Sequence, residues 1–206
     1  MTHLLSIIVL LLKIRATRSC KGISRRTQEL YLLVFVTRYL DLFYSYISLY
    51  NTFMKIIFLV SSSAIVYYMR YDPVISSTYD RRQDTFRYVF LVVPCFLLAL
   101  MVHNLARFTE ILWTFSIYLE AVAILPQLVL MQRTQNIDNL TGNYVFLLGT
   151  YRGLYILNWI YRFFAEPHYR QWIVWISGLV QTGLYADFFY YYFLCWKNNQ
   201  KLVLPA

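Results

Sequence analysis

Apolar runs separated by short polar segments organise this chain of 206 residues. Measured against the roughly 20 helical residues that cross a bilayer, the runs fall at 1–12, 30–50, 53–69, 88–102, 111–131, 144–164 and 172–196. The pattern predicts an all-α membrane protein with seven transmembrane helices. Run 1–12 is the weak one, since twelve residues reach only about 18 Å. It is a half-span or the end of a longer span, and the second is the expectation.

The polar segments give a direction. Lys13, Arg15, Arg18, Lys21, Arg25 and Arg26 follow the first run; Arg70, Arg81, Arg82 and Arg87 follow the third. Arg133 follows the fifth, and Lys197 and Lys201 follow the seventh. Alternate connections thus hold most of the 19 basic residues, and by the positive-inside rule that side is cytosolic. The N-terminus is then luminal or external and the C-terminus cytosolic. The sequon Asn139-Leu-Thr141 falls on the cytosolic side and should stay bare.

Composition agrees. Hydrophobic residues make up 59% and charged ones 14%, leaving no room for a separate soluble domain, so 1–206 is read as one membrane domain. The net charge of +9 lies in connections between apolar runs, not on an aromatic-interleaved patch, which argues against nucleic acid. Cys20, Cys95 and Cys195 lack metal-ligand spacing and read as free thiols.

A shift of 114 residues lays the chain on itself: Leu12-Lys13 on Pro126-Gln127, Thr27 on Thr141, and Arg38 on Arg152. Each half then carries an arginine at matching depth. This predicts two parallel three-helix repeats, about 1–69 and about 111–196, joined by a linking helix at about 88–102 and followed by a cytosolic tail at 197–206. Substrate sites in such folds lie between the repeats.

Ionisable residues inside the runs mark the candidate site. A mid-membrane charge costs roughly 2.5–3.5 kcal/mol on the insertion scale, so such groups face a bundle interior or a wet cavity. In the second run Arg38 and Asp41 are three apart, with Tyr39 beside them. The fifth presents Glu110, Trp113, Ile117 and Glu120 as one stripe, and the sixth Arg152, Tyr155, Trp159 and Arg162, flanked by Tyr151 and Asn158. The seventh adds Gln181, Tyr185, Asp187 and Tyr191. Together they predict a luminal cavity with arginines, carboxylates and an aromatic lining. Buried pairs of this kind also serve packing alone; for Asp41 and Asp187 both readings stand, whereas Arg38, Arg152 and Glu120 together exceed what packing requires. With no nucleophile–histidine–acid set, metal cluster or glycine-rich phosphate loop, binding without chemistry is expected, with neither cofactor nor metal.

Ordered blocks then carry a resemblance over essentially the whole length: Arg38-Tyr-Leu-Asp41-Leu-Phe, Ser48-Leu-Tyr-Asn51, Asp84-Thr-Phe-Arg87, Trp113-Thr-Phe-Ser-Ile-Tyr-Leu-Glu120, Ala123-Ile-Leu-Pro-Gln127, Tyr151-Arg-Gly-Leu-Tyr155, Asn158-Trp-Ile-Tyr-Arg162, Asp187-Phe-Phe-Tyr190 and Leu204-Pro-Ala206. The chain resembles the KDEL receptors, the ER-lumen-protein-retaining receptors, and Asn136-Ile-Asp-Asn-Leu-Thr-Gly142 looks like the plant members.

The resemblance implies a seven-helix fold related to SWEET and PQ-loop transporters. It also implies capture of C-terminal Lys/His-Asp-Glu-Leu signals in the acidic Golgi and COPI-dependent return to the neutral endoplasmic reticulum. By resemblance, Arg38 and Tyr39 hold the ligand carboxylate, Arg162 pairs with a ligand acid, and Glu110, Trp113 and Trp159 face its basic residue. His3 with Glu120, Tyr151 and Arg152 would form a pH-sensitive lock. Tyr155 joins the binding set; Asp41, Asn158 and Asp187 are expected to support the polar core, and Lys197 and Lys201 to be the sorting lysines of the tail. Family members carry a luminal segment with an arginine ahead of the histidine, whereas here Met1-Thr-His3 opens the chain. The rival reading is a PQ-loop-type small-solute transporter, on the shared fold and Pro126-Gln127.

Overall fold

The structure, a computed structural model, describes residues 2–134, 137–166, 172–198 and 200–204. Asn136, Pro205 and Ala206, which belong to blocks quoted above, lie outside the described residues. Among those described there is helix and no strand. The helices are α1 (Thr2–Thr17), α2 (Arg25–Arg38), α3 (Leu49–Tyr71), the short α4 (Pro73–Ser77), α5 (Val89–Met101), α6 (Phe108–Val122), α7 (Leu125–Arg133), α8 (Asn139–Ala165) and α9 (Trp172–Lys197). Leu49–Tyr71 and the continuous stretch Phe108–Arg133 are long and apolar enough to cross a bilayer.

Several boundaries depart from the hydropathy reading, each for a local reason. Run 30–50 is not one helix. The Tyr39 N–H closes on the Phe35 carbonyl, a 3-10 turn occupies Tyr39–Phe43, and α3 starts anew after Ser48, whose hydroxyl accepts from the Asn51 N–H at 3.1 Å. Serine at such a position satisfies an otherwise orphaned amide, a signal that hydropathy does not carry. Run 111–131 divides after Val122, because Pro126 has no N–H and crowds the preceding turn; α7 carries it at its N-terminus.

Run 1–12 continues to Thr17, past Lys13. Lys13 was expected among the loop charges, yet it is 2% exposed. Its ammonium donates to the Lys21 carbonyl at 3.0 Å and to the Thr141 hydroxyl, and pairs with Asp138 at 3.3 Å. Three polar partners are what allow a lysine to be buried. The sequon threonine is therefore engaged in the core at the start of α8.

Packing interleaves the two halves. α1 lies on α8 and α2 on α6, while α3 lies on α2 and α1, and α9 on α8 and α6. α5 packs on α6. Loops meet at the end where α1 finishes. Gln127, fully buried, accepts from the Ser24 N–H at 2.8 Å and donates to the Gly22 carbonyl at 2.8 Å. Ser24 and Tyr79 both donate to Asp84, at 3.0 and 2.6 Å. Burial, and then this bond to a carboxylate, raise the Tyr79 phenol above its ordinary range. Gly22 has φ +76°, a left-handed turn open to glycine. The tail folds back here too, with Leu202 and Leu204 buried in the core.

Candidate functional site

Toward the opposite end lies a cavity of about 400 Å³. Its charged and aromatic lining comes largely from α1, α2, α6 and α8 by simple periodicity, with α3 and α9 closing the sides. α2 ends at Arg38, with Tyr39 starting the next turn. α6 contributes Trp113, Ile117 and Glu120. α8 contributes Tyr151, Arg152, Tyr155, Trp159 and Arg162. α1 contributes Thr2 and His3. Residues three, four and seven apart share a helix face, which is why these two stripes read from sequence arrive on one wall each.

Glu120, 3% exposed, is the centre of the charge arrangement. One carboxylate oxygen meets the guanidinium of Arg38; the other meets that of Arg152 and accepts from the Tyr151 hydroxyl at 2.6 Å. Arg38 also donates through Nε to the Ser116 hydroxyl at 3.1 Å. One buried anion thus holds two guanidiniums, and the donors are not exhausted: Arg38 Nη2 and Arg152 Nε are buried without a partner. His3 stacks on Tyr151 with ring centroids 4.2 Å apart and planes 6° apart, and touches Phe35 and Phe58 at 5.5 and 5.3 Å. At the outer wall Arg162 is held by a two-point bond to Glu166, at 2.9 and 2.8 Å.

Glu110 lines an adjoining cavity of about 560 Å³, which shares Arg38, Tyr39 and Trp113 with the first. Asp41 lies in that second cavity. It shares that cavity with Arg38, as residues three apart in a 3-10 turn do, and pairs with Lys55 at 2.6 Å. Asn158 and Asp187 are not part of this polar core. Both are exposed. Asn158 sits one residue, about 100°, off the inward stripe of α8. Asp187 lines a separate cavity with Leu125, Phe188 and Leu204, at the end where the tail folds back. Lys197 and Lys201 are exposed.

Residues not singled out from sequence also belong here. Lys55 stands inside the run 53–69 and was visible as one more charge in an apolar segment. Ser116 had no signal beyond lying one turn before Glu120. Gly178 lets α9 approach the Trp159 indole, for a methyl placed there would lie 2.7 Å from Cη2 and closer still to Cζ3.

Among the described residues the fold is all-helical, with two stretches long and apolar enough to cross a membrane, and it encloses an arginine-rich cavity. The family described as ER lumen protein retaining receptor matches residues 19–162. Over 206 residues, all of this chain and 96% of each relative, the sequence is 69% identical to ER lumen protein-retaining receptor B of Arabidopsis thaliana and 67% identical to ER lumen protein-retaining receptor of Petunia hybrida. Identity to ER lumen protein-retaining receptor of Drosophila melanogaster is 52% over 206 residues, all of this chain and 96% of that relative. The chain belongs to the ER lumen protein retaining receptor family. It is a family of receptors and not of enzymes, and the plant resemblance follows the same order of identities.

Proposed function

We propose that this chain retrieves escaped residents of the endoplasmic reticulum by binding their C-terminal Lys/His-Asp-Glu-Leu in the cavity and returning with them through COPI traffic. The observation that carries this is the surplus of cationic side chains lining the cavity, with buried donors of Arg38 and Arg152 left over. Among the described residues of the lining, Arg38, Arg152 and Arg162 face one carboxylate, Glu120. A tail with a terminal carboxylate and two acids against one cation complements that charge. Arg38 and Arg152 also keep an unused N–H each, and the planar guanidinium fork suits carboxylates. Arg38 with Tyr39 takes the terminal carboxylate, Arg162 a ligand acid, and Glu110, Trp113, Tyr155 and Trp159 line the path of the basic residue. Glu120 then serves as the internal stand-in that holds the arginines when no ligand is bound.

The repeat organisation fits this reading. In the register of the two halves, α1 corresponds to the α6–α7 stretch, α2 to α8 and α3 to α9. The observed pairs α1·α8 and α2·α6 exchange under that correspondence, as do α2·α3 with α8·α9 and α1·α3 with α6·α9. A pseudo-two-fold arrangement requires such exchanged contacts, and the paired arginines Arg38 and Arg152 meet the same Glu120. We read seven spans, with α5 as the linker, the basic loops and the Lys197–Lys201 tail cytosolic, and the cavity open to the lumen of Golgi and endoplasmic reticulum. The transporter reading loses its motif here, because both amide atoms of Gln127 are occupied by the α1–α2 loop, away from the cavity.

Substitution at Arg38 tests the assignment. Arg38→Ala should lower affinity for a peptide ending in Lys-Asp-Glu-Leu by about 2–5 kcal/mol, the loss for a buried charge-assisted contact. Arg38→Lys should recover little of it, lacking the fork. Near-normal affinity in Arg38→Ala would refute the role.

A further inference from the structure

The α9 wall of the cavity was not assigned a role by charge or by motif. Val174, Ser177, Gly178 and Gln181 form its inward stripe. Gln181 is 1% exposed, and its Nε2 has no hydrogen-bond partner. Its depth follows from two close approaches between the antiparallel neighbours α8 and α9. A methyl at Gly178 would meet Trp159, and one at Gly149 would lie 2.9 Å from Tyr185. Gln181, between Gly178 and Tyr185, therefore falls at the level of Tyr155, within a turn of Arg152. The same cavity holds the two other unpartnered donors, Arg38 Nη2 and Arg152 Nε.

We infer that Gln181 is a ligand-contacting residue whose side-chain N–H donates to the terminal carboxylate of the bound peptide, completing a set of donors begun by the two arginines. A buried amide hydrogen without an acceptor lowers the stability of the empty protein. Its position is explained by an acceptor that arrives with the ligand. The amide also suits the place because it adds direction without a third positive charge beside Arg38 and Arg152. The inference rests on the receptor reading given above.

The test uses the full chain in detergent, a synthetic peptide ending in Lys-Asp-Glu-Leu, and the near-isosteric Gln181→Met, which lacks the donor. Empty Gln181→Met should unfold at the wild-type temperature or above it. Its peptide affinity should fall about tenfold or more, the range for a hydrogen bond to a charged group. Gln181→Glu, which turns the donor into an anion, should bind more weakly again. Failure of Gln181→Met to fold, or a lower unfolding temperature when empty, would assign Gln181 a structural role and overturn the inference. Wild-type affinity in Gln181→Met would overturn it equally. Wild-type protein that ignores the peptide would overturn the receptor reading itself, an outcome distinct from failure at Gln181 alone.

Discussion

Gly178→Ala is the smallest change that should reach the cavity. The added methyl would lie 2.7 Å from Trp159 Cη2, where carbon atoms ordinarily rest about 3.5–4.0 Å apart. The indole must therefore retreat by about 1 Å or more. Trp159 is only 6% exposed and is bracketed by Tyr155 and Trp175, each 5.9 Å away between ring centroids. Its open side is the cavity it lines. Overpacking of a buried site costs about 1–3 kcal/mol. That cost will be divided between lower stability of the empty receptor and lower peptide affinity, the latter by up to about 150-fold if all of it falls on binding. Thermal unfolding and peptide titration of the purified receptor measure the two parts. Gly178→Ala combined with Trp159→Phe removes the clashing ring and should recover the lost stability, though not the affinity. Wild-type stability and affinity in Gly178→Ala would refute this packing argument, as would a double variant no more stable than the single one.

Two further outcomes follow from other contacts. His3 is packed by Phe35 and Tyr31 of α2, Phe58 of α3 and Tyr151 of α8, with the charges of Glu120, Arg152 and Arg38 in electrostatic reach. If protonation of His3 adds the charge that a net-negative tail requires, affinity must climb as pH falls through the histidine's free-state pKa, because the ligand binds the protonated form better. His3→Asn should flatten peptide affinity between about pH 5.5 and about pH 7.5, and a variant that keeps the full dependence would place the proton elsewhere. Gln127→Leu should strand the buried Ser24 N–H and the partly buried Gly22 carbonyl and lower stability by about 2–6 kcal/mol, at about 1–3 per stranded group. Its peptide affinity should remain within about twofold of wild type because the site is at the other end, and an unchanged unfolding temperature would show the loop to be held by other means.

Helical spacing made the two longest walls of the cavity legible in the sequence. Trp113, Ile117 and Glu120, and likewise Arg152, Tyr155, Trp159 and Arg162, share faces by arithmetic, and the cost of a charge in an apolar run favours turning it inward. Spacing places Asp41 beside Arg38 at one cavity but does not give its partner: the Ser48 cap starts a new helix, and Lys55, fourteen residues on, pairs with it. Asn158 and Asp187 show a second limit, since polarity alone does not say which side of a helix a residue occupies. Lys13 shows a third. Loop charge and buried charge look identical until Asp138 and Thr141 are brought beside it by the α1–α8 packing. Gln181 was legible as a polar residue in the seventh run, whereas Gly178, with no side chain, gave no sign of the wall it builds.

The central claim is that the cavity reads the carboxylate at the end of a peptide. Binding of a Lys-Asp-Glu-Leu peptide should be compared with that of its C-terminally amidated form, on the same purified receptor, at about pH 5.5 and about pH 7.5, which bracket the histidine range. The free acid should bind at least about tenfold more tightly than the amide, as expected for a lost charge-assisted contact, and more tightly at the lower pH. Equal binding of the acid and the amide at both pH values would contradict the account.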